Sequence, residues 1–349
     1  MRYLPISQVS EGMVLGRTVF DAAGNPLLTE GTRLTSAYVD RLRELGYPAL
    51  YIRSALEPET FDFAEPVRQE TRLKAQAVLR ELAADLADKG ITPKRLEAAQ
   101  GLVAEMVDEL LGQDELVLSV MEIRSLDSYT FSHSVNTCIL SVMAGISLGL
   151  DRSRLIDLGV GALLHDLGKI FVPREILTKP GPLTVEEFSQ VQTHCRRGYN
   201  LLRDQVNLLS AHVAYQHHER ADGSGYPRGL RRDEMILFAR IAAVADSFDA
   251  MTSNRVYSQA LLPDHAIGVL FRETPARYDF ECVRALARYV AAYPIGSVVR
   301  LESGESGEVV NVTRAETYVL VTRGSRRGQV VCCPREATIA GRVSWPGQN

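Results

Sequence analysis

Cysteine is scarce: five occur in 349 residues, at 138, 195, 282, 332 and 333. Their odd number and irregular spacing exclude a disulfide framework and a zinc knuckle. The adjacent Cys332 and Cys333 fall in a β-like run and are expected to be buried thiols. Excess positive charge is also missing, with 39 Lys and Arg against 43 Asp and Glu. A duplex- or RNA-binding surface is therefore not expected, although a local basic pocket for a small phosphorylated ligand is not excluded. The opening MRYLPISQVSEGM has no apolar signal core, so a cytoplasmic chain is expected. The longest apolar-rich stretch, VNTCILSVMAGISLGL (135–150), is too short and too rich in small residues to span a membrane. It is expected to form a core helix. Histidine is scarce too, with seven in all.

What remains is an ordinary globular composition, 46% apolar and 23% charged, long enough for two or three domains. Residues 1–55 read as a small α+β domain. VLGRTVF and PLL flank the turn-rich DAAGN as a hairpin would. A helix capped by Thr35 or Ser36 follows, then ALYI as a short strand. Residues 56–112 read as a helical linker. Leu73, Val78, Leu82 and Leu86 make one stripe, and Thr92-Pro93 starts a second helix carrying Leu96, Val103, Met106, Val107 and Leu110. The pair fits a packed hairpin and a homodimer interface equally well. Residues 113–298 continue helical, and 299–349 break into short β-like runs such as GEVVNV and TYVLVT. The fold class expected is mainly α: a helical domain preceded by a small α+β domain and followed by a short β unit.

Most histidines sit where histidine is least expected. His133 lies in YTFSHSVN at the start of an apolar helix. His165 and Asp166 interrupt GALLHDLGKI. His194 falls on a helix whose start, LTVEEF, has Thr184 and Glu187 at capping-box spacing. His217 and His218 are adjacent, and Asp246 interrupts RIAAVADSFDA. One histidine on an apolar helix is usually a hydrogen-bonded core residue, but a carboxylate buried without a partner is costly. Five of seven histidines and two aspartates in convergent apolar segments are satisfied together by metal. Imidazole with carboxylate suits Fe, Mn, Co, Ni or Zn better than Ca or Mg. Seven donors exceed the needs of one ion, so two ions sharing a carboxylate is the simplest arrangement.

HDLGK followed by HHERADGSGYP, with YTFSHS, LTVEEF and ADSFDAMTSNRVY, resembles the HD-GYP branch of the HD-domain phosphohydrolases over roughly residues 113–300. The resemblance implies a helical HD-type domain that hydrolyses cyclic di-GMP, a bacterial second messenger, to linear pGpG and sometimes on to GMP. The implied ligands of two divalent transition-metal ions, iron or manganese, are His133, His165, Asp166, His194, His217, His218 and Asp246. Asp166 would bridge the ions, and a metal-activated hydroxide would attack one phosphodiester. Lys169 would contact a substrate phosphate, Arg255 would help hold the dinucleotide, and Gly225, Tyr226 and Pro227 would form the loop beside the site. Glu219 would orient a ligand histidine. Signalling proteins are further partners that such a domain implies.

Three positions depart from the family pattern. Tyr129 stands where some members carry a third-metal glutamate, so two metals are expected. Cys195 replaces a proline without loss of a ligand. Ser258 replaces a second basic residue, which leaves selectivity for cyclic di-GMP over another cyclic dinucleotide open. A protein that binds the dinucleotide or a partner protein without useful turnover is the rival expectation.

Overall fold

The structure, a computed structural model, describes residues 2–20, 26–45, 47, 49–53, 66–88, 90–113, 129–253, 261, 263–290, 293, 297–313, 316–334 and 339–342. Two compact units divide the chain. One comprises residues 1–65, 115–129 and 290–349, and the other 66–114 and 130–289.

The first unit opens with β1 (Arg2–Pro5), β2 (Val19–Phe20), β3 (Pro26–Leu28), α1 (Ser36–Glu44) and β4 (Ala49–Ile52). Antiparallel pairs join β1 to β4 and β2 to β3. Thr35 caps α1, its hydroxyl accepting from the Tyr38 amide, which satisfies one of the unpaired donors at a helix start. Leu15, Leu34, Val39, Leu42, Leu50 and Ile52 form the small core.

The second unit holds α2 (Gln69–Asp88), α3 (Pro93–Leu111), α4 (Tyr129–Ser147), α5 (Arg152–Leu163), α6 (Arg174–Leu177), α7 (Val185–Leu202), α8 (Leu208–Gln216), α9 (Leu237–Thr252), α10 (Pro263–Arg272) and α11 (Phe280–Ala287). Helices α2 and α3 pack on each other, and α3 packs on α5. Much of their apolar surface is buried: Leu79, Leu82, Val103, Met106, Val107 and Leu110 are all enclosed, whereas Leu111 is exposed. The buried stripe of α2 runs through Arg72, Ala75, Gln76, Leu79, Leu82 and Leu86, leaving Leu73 and Val78 at its margin. With Thr71, also buried, three polar side chains share this face. Asp108 joins α3 to α5 through Arg152, Nε to Oδ1 at 2.7 Å. The capping box of α7 forms as its spacing predicts, with Glu187 and Thr184 exchanging bonds. Pro93 starts α3, but the Thr92 side chain makes no capping bond.

The first unit also contains β5 (Val298–Leu301), β6 (Ser306–Val312), β7 (Glu316–Arg323), β8 (Val330–Pro334) and β9 (Ile339–Arg342), in the antiparallel order β8-β7-β6-β5-β9. Val299, Leu301, Val309, Val319, Val321 and Cys333 form its core. Cys332 corrects the expectation of two buried thiols: it is exposed while Cys333 is buried, because neighbours on a strand face opposite ways. The fold is mainly α. No helix among the described residues is long and apolar enough to cross a membrane.

Candidate metal centre

Helix ends, more than helix interiors, present the donors. His133 stands on α4, His194 on α7 and Asp246 on α9, but α5 stops at Leu163. His165 and Asp166 occupy the break before a 3₁₀ turn, Leu167–Phe171. His217 caps α8, and His218 follows it. Gly168 marks the closest approach of this turn to α7. A Cβ there would stand 2.1 Å from the His194 carbonyl oxygen and 2.7 Å from the Gly198 nitrogen. Only glycine lets this turn lie against α7, and that contact brings Asp166 to His194.

Asp166 is the hub. Its Oδ1 lies 3.5 Å from His194 Nε2 and 3.7 Å from His217 Nε2, and its Oδ2 lies 3.4 Å from His165 Nε2. Two donor groups result: Asp166, His194, His217 and His218 in one, and His133, His165 and Asp166 in the other, each with its ligand atoms within 4.8 Å of one another. Asp246 adjoins both, with Oδ1 3.0 Å from His133 Nε2 and Oδ2 3.9 Å from His218 Nδ1.

The outer ring nitrogens fix the tautomers. His165 Nδ1 donates to the Ala162 carbonyl at 2.7 Å, His194 Nδ1 to Val191 at 2.6 Å, and His217 Nδ1 to Val213 and Ala214 at 3.1 Å. A carbonyl only accepts, so each Nδ1 carries the hydrogen and each Nε2 lone pair faces inward. His133 Nδ1 donates to Asp249 Oδ2 at 2.7 Å.

Protonation follows the same pattern. Burial opposes the charge on Asp166, yet the cations and imidazoles around it, Lys169 foremost, hold its pKa well below the usual carboxylate range. Asp246 behaves alike: burial is outweighed by its bond from His133 and the neighbouring imidazoles. Burial keeps His194 and His217 neutral and lowers His218 to about 3. Ionised carboxylates and neutral imidazoles are the forms that bind metals. His133 differs: its bonds to Asp246 and Asp249, with their charge, overcome burial and raise it to about 10. Its pair of carboxylates favours positive charge at this spot. Asp166 Oδ1 and His165 Nε2 are buried with no hydrogen-bond partner. Orphan buried acceptors call for an explanation, and a transition-metal cation satisfies them.

The other expected residues surround this cluster. Lys169 Nζ donates to Asp166 Oδ2 at 2.5 Å. Tyr226 lies against His218, ring centroids 4.8 Å apart, with Phe188 edge-on to it at 5.8 Å, and a cis bond joins it to Pro227. A Cβ on Gly225 would stand 2.3 Å from the Arg220 nitrogen, so the turn folds back onto the residues beside His218. Glu219 corrects its expected role. It is fully buried, and its two oxygens accept from the Arg228 amide at 2.8 Å and the Leu230 amide at 2.9 Å, fastening the turn and not an imidazole. Arg255, Ser258 and the Tyr129 side chain lie outside the described residues. Cys195 is buried with Sγ 3.4 Å from His194 Nε2, and burial raises its pKa, so the thiol stays neutral.

Asp249 was not anticipated. It sits three residues after Asp246 in ADSFDA, on the same face of α9, and that spacing was the available signal. Asn136 was also missed; its Nδ2 donates to Asp249 Oδ1 at 2.9 Å.

A family model described as "HD domain" matches residues 121–282. A cyclic di-GMP phosphodiesterase of Pseudomonas aeruginosa is 40% identical over 214 residues, which are 61% of this chain and 51% of that protein. A Thermotoga maritima protein of the same name is 35% identical over 248 residues, 68% of this chain and 67% of the relative. The chain thus spans about half to two thirds of the length of these curated relatives. An HDG"Y"P protein from Bdellovibrio bacteriovorus shares the fold, with a TM-score of 0.56 over 81% of this chain and 97% of that one, at 17% identity. With its cluster of histidines and aspartates and these relatives, the chain belongs to the HD-domain family, in its HD-GYP branch.

Proposed function

We propose that the chain is a metal-dependent phosphodiesterase that hydrolyses cyclic di-GMP to linear pGpG, and that it stops there for want of a third-metal glutamate at Tyr129. The observation that carries this reading is Asp166, buried among three imidazoles and common to both donor groups. The names of the Pseudomonas and Thermotoga relatives support the choice of substrate. Asp166, His194, His217 and His218 would hold one ion, and Asp166, His133, His165 and Asp246 the other. Bound there, two divalent ions, iron or manganese, would activate water and neutralise the phosphoryl oxygens.

The protein's own groups do the rest. Nδ1 bonds to fixed carbonyls keep the imidazoles from turning, so the site is organised before substrate arrives. Lys169, beside Asp166 and partly exposed, would meet a non-bridging phosphate oxygen. Gly225, Tyr226 and Pro227 would form the wall against which the dinucleotide lies, with Arg255 as a second phosphate contact. Residues 113–298 would carry the reaction, with 1–55, 56–112 and 299–349 serving regulation or pairing with a second copy or a signalling protein. The messenger assigns the activity to the cytoplasm.

Elemental analysis of anaerobically purified chain, followed directly by chromatography of its products from cyclic di-GMP and from cyclic GMP-AMP, tests the reading. Iron or manganese near two per chain and pGpG as product are expected. Protein devoid of transition metal, or dinucleotide binding without product, overturns it.

A further inference from the structure

The buried face of α2 contains an arginine. Arg72 is 5% exposed, and burying a guanidinium is costly unless its donors are used. Its Nη2 donates to Asn136 Oδ1 at 2.7 Å. Asn136 Nδ2 donates to Asp249 Oδ1 at 2.9 Å, and Asp249 Oδ2 accepts from His133 Nδ1 at 2.7 Å. Four residues on three helices thus form one line that ends on a donor of the metal cluster.

The direction of every bond in this line follows from its first member. A guanidinium has five donors and no acceptor, so the amide of Asn136 must turn its oxygen toward Arg72. Its NH₂ is then forced toward Asp249. With one oxygen so held, the other oxygen of Asp249 faces His133 and takes the Nδ1 hydrogen. His133 Nε2 is left facing Asp246 and the cluster, where a bound cation would take the place of its proton. Without Arg72 the amide is free to flip, which sets its oxygen against the Asp249 carboxylate and loosens His133.

We infer that Arg72, on a helix outside the HD-GYP motifs, is a positioning residue for the metal centre, acting through Asn136 and Asp249 on His133. The inference rests on the metal reading above, and its test reads metal binding without substrate. Manganese is titrated into the full-length, chelator-stripped chain, and the free ion is followed by its paramagnetic resonance signal. Residues one link behind a metal ligand are worth about 10- to 100-fold in affinity. Arg72 stands two links further out, so Arg72→Met should weaken binding about five- to tenfold on the same scale.

Arg72→Lys keeps a donor-only cation and should stay within about twofold of the wild type. In an Asp249→Asn background the line is already cut, so adding Arg72→Met should change affinity by less than about twofold. A merely structural arginine would cost the same in either background. Undiminished loss in the Asp249→Asn background, full affinity in Arg72→Met, or a lysine variant as weak as the methionine one overturns the inference. A wild-type chain that takes up no manganese overturns the metal reading and this inference together.

Discussion

Gly168→Ala perturbs the site without touching a donor. The added Cβ would meet the His194 carbonyl oxygen at 2.1 Å and the Gly198 nitrogen at 2.7 Å, where real Cβ contacts stay beyond 3.0 Å. Both opposing atoms are backbone, so no rotamer change relieves the clash. The turn carrying Asp166 must withdraw from α7 by about 1 Å. Overpacking of this kind costs about 1–3 kcal/mol and more where the backbone must move, so about 3 kcal/mol is expected here. For a unit of this size each kcal/mol lowers the melting temperature by about 2–4 °C, which gives a fall of about 10 °C. The same movement separates Asp166 from His194 Nε2, now 3.5 Å from its Oδ1. A misplacement of about 1 Å is worth about 100-fold in rate. Scanning calorimetry with and without manganese, together with single-turnover assays, measures both effects. An alanine variant that melts within about 2 °C of the wild type and turns over normally would refute the close-approach argument.

Asp166→Ala should abolish metal loading at both donor groups and with it turnover; elemental analysis showing one ion retained would disprove the bridging role. Lys169→Ala should leave metal content intact while lowering turnover at least tenfold, and joint loss of metal would mark it as a support of Asp166 instead. Chelator-stripped protein should be most stable to urea near pH 6.5. The lowered pKa values of His194, His217 and His218, the last near 3, give stability present above the unfolded value of about 6.5 and lost as pH falls toward 3. His133, raised to about 10, has the opposite sign: its contribution is complete below about 6.5 and lost as pH rises to 10. A urea midpoint unchanged from pH 4 to 9 would contradict these protonation states.

The site was legible in the sequence because charge and imidazole inside apolar runs need a reason to be there. His133, His165, Asp166, His194, His217, His218 and Asp246 all announced themselves that way, and the structure brings them together. Other residues gave no such signal because their roles depend on helices distant in sequence. Arg72 and Asn136 are 64 positions apart, and nothing local marks an arginine as buried. Asp249 was visible in ADSFDA but its partner was not. In GALLHDLGKI the need for glycine at 168 was not legible, because the obstacle there is the backbone of α7. Strand β1 contains the short RYLP and gains its partner only at Ala49–Ile52. Strand β9 likewise depends on pairing with β5.

The grip of Glu219 on the Arg228 and Leu230 amides leaves the intervening segment no slack. Insertions and deletions among natural variants should therefore avoid the stretch from 219 to 230 and collect beyond it. Attempts to redesign this turn have freedom in side chains, but none in loop length.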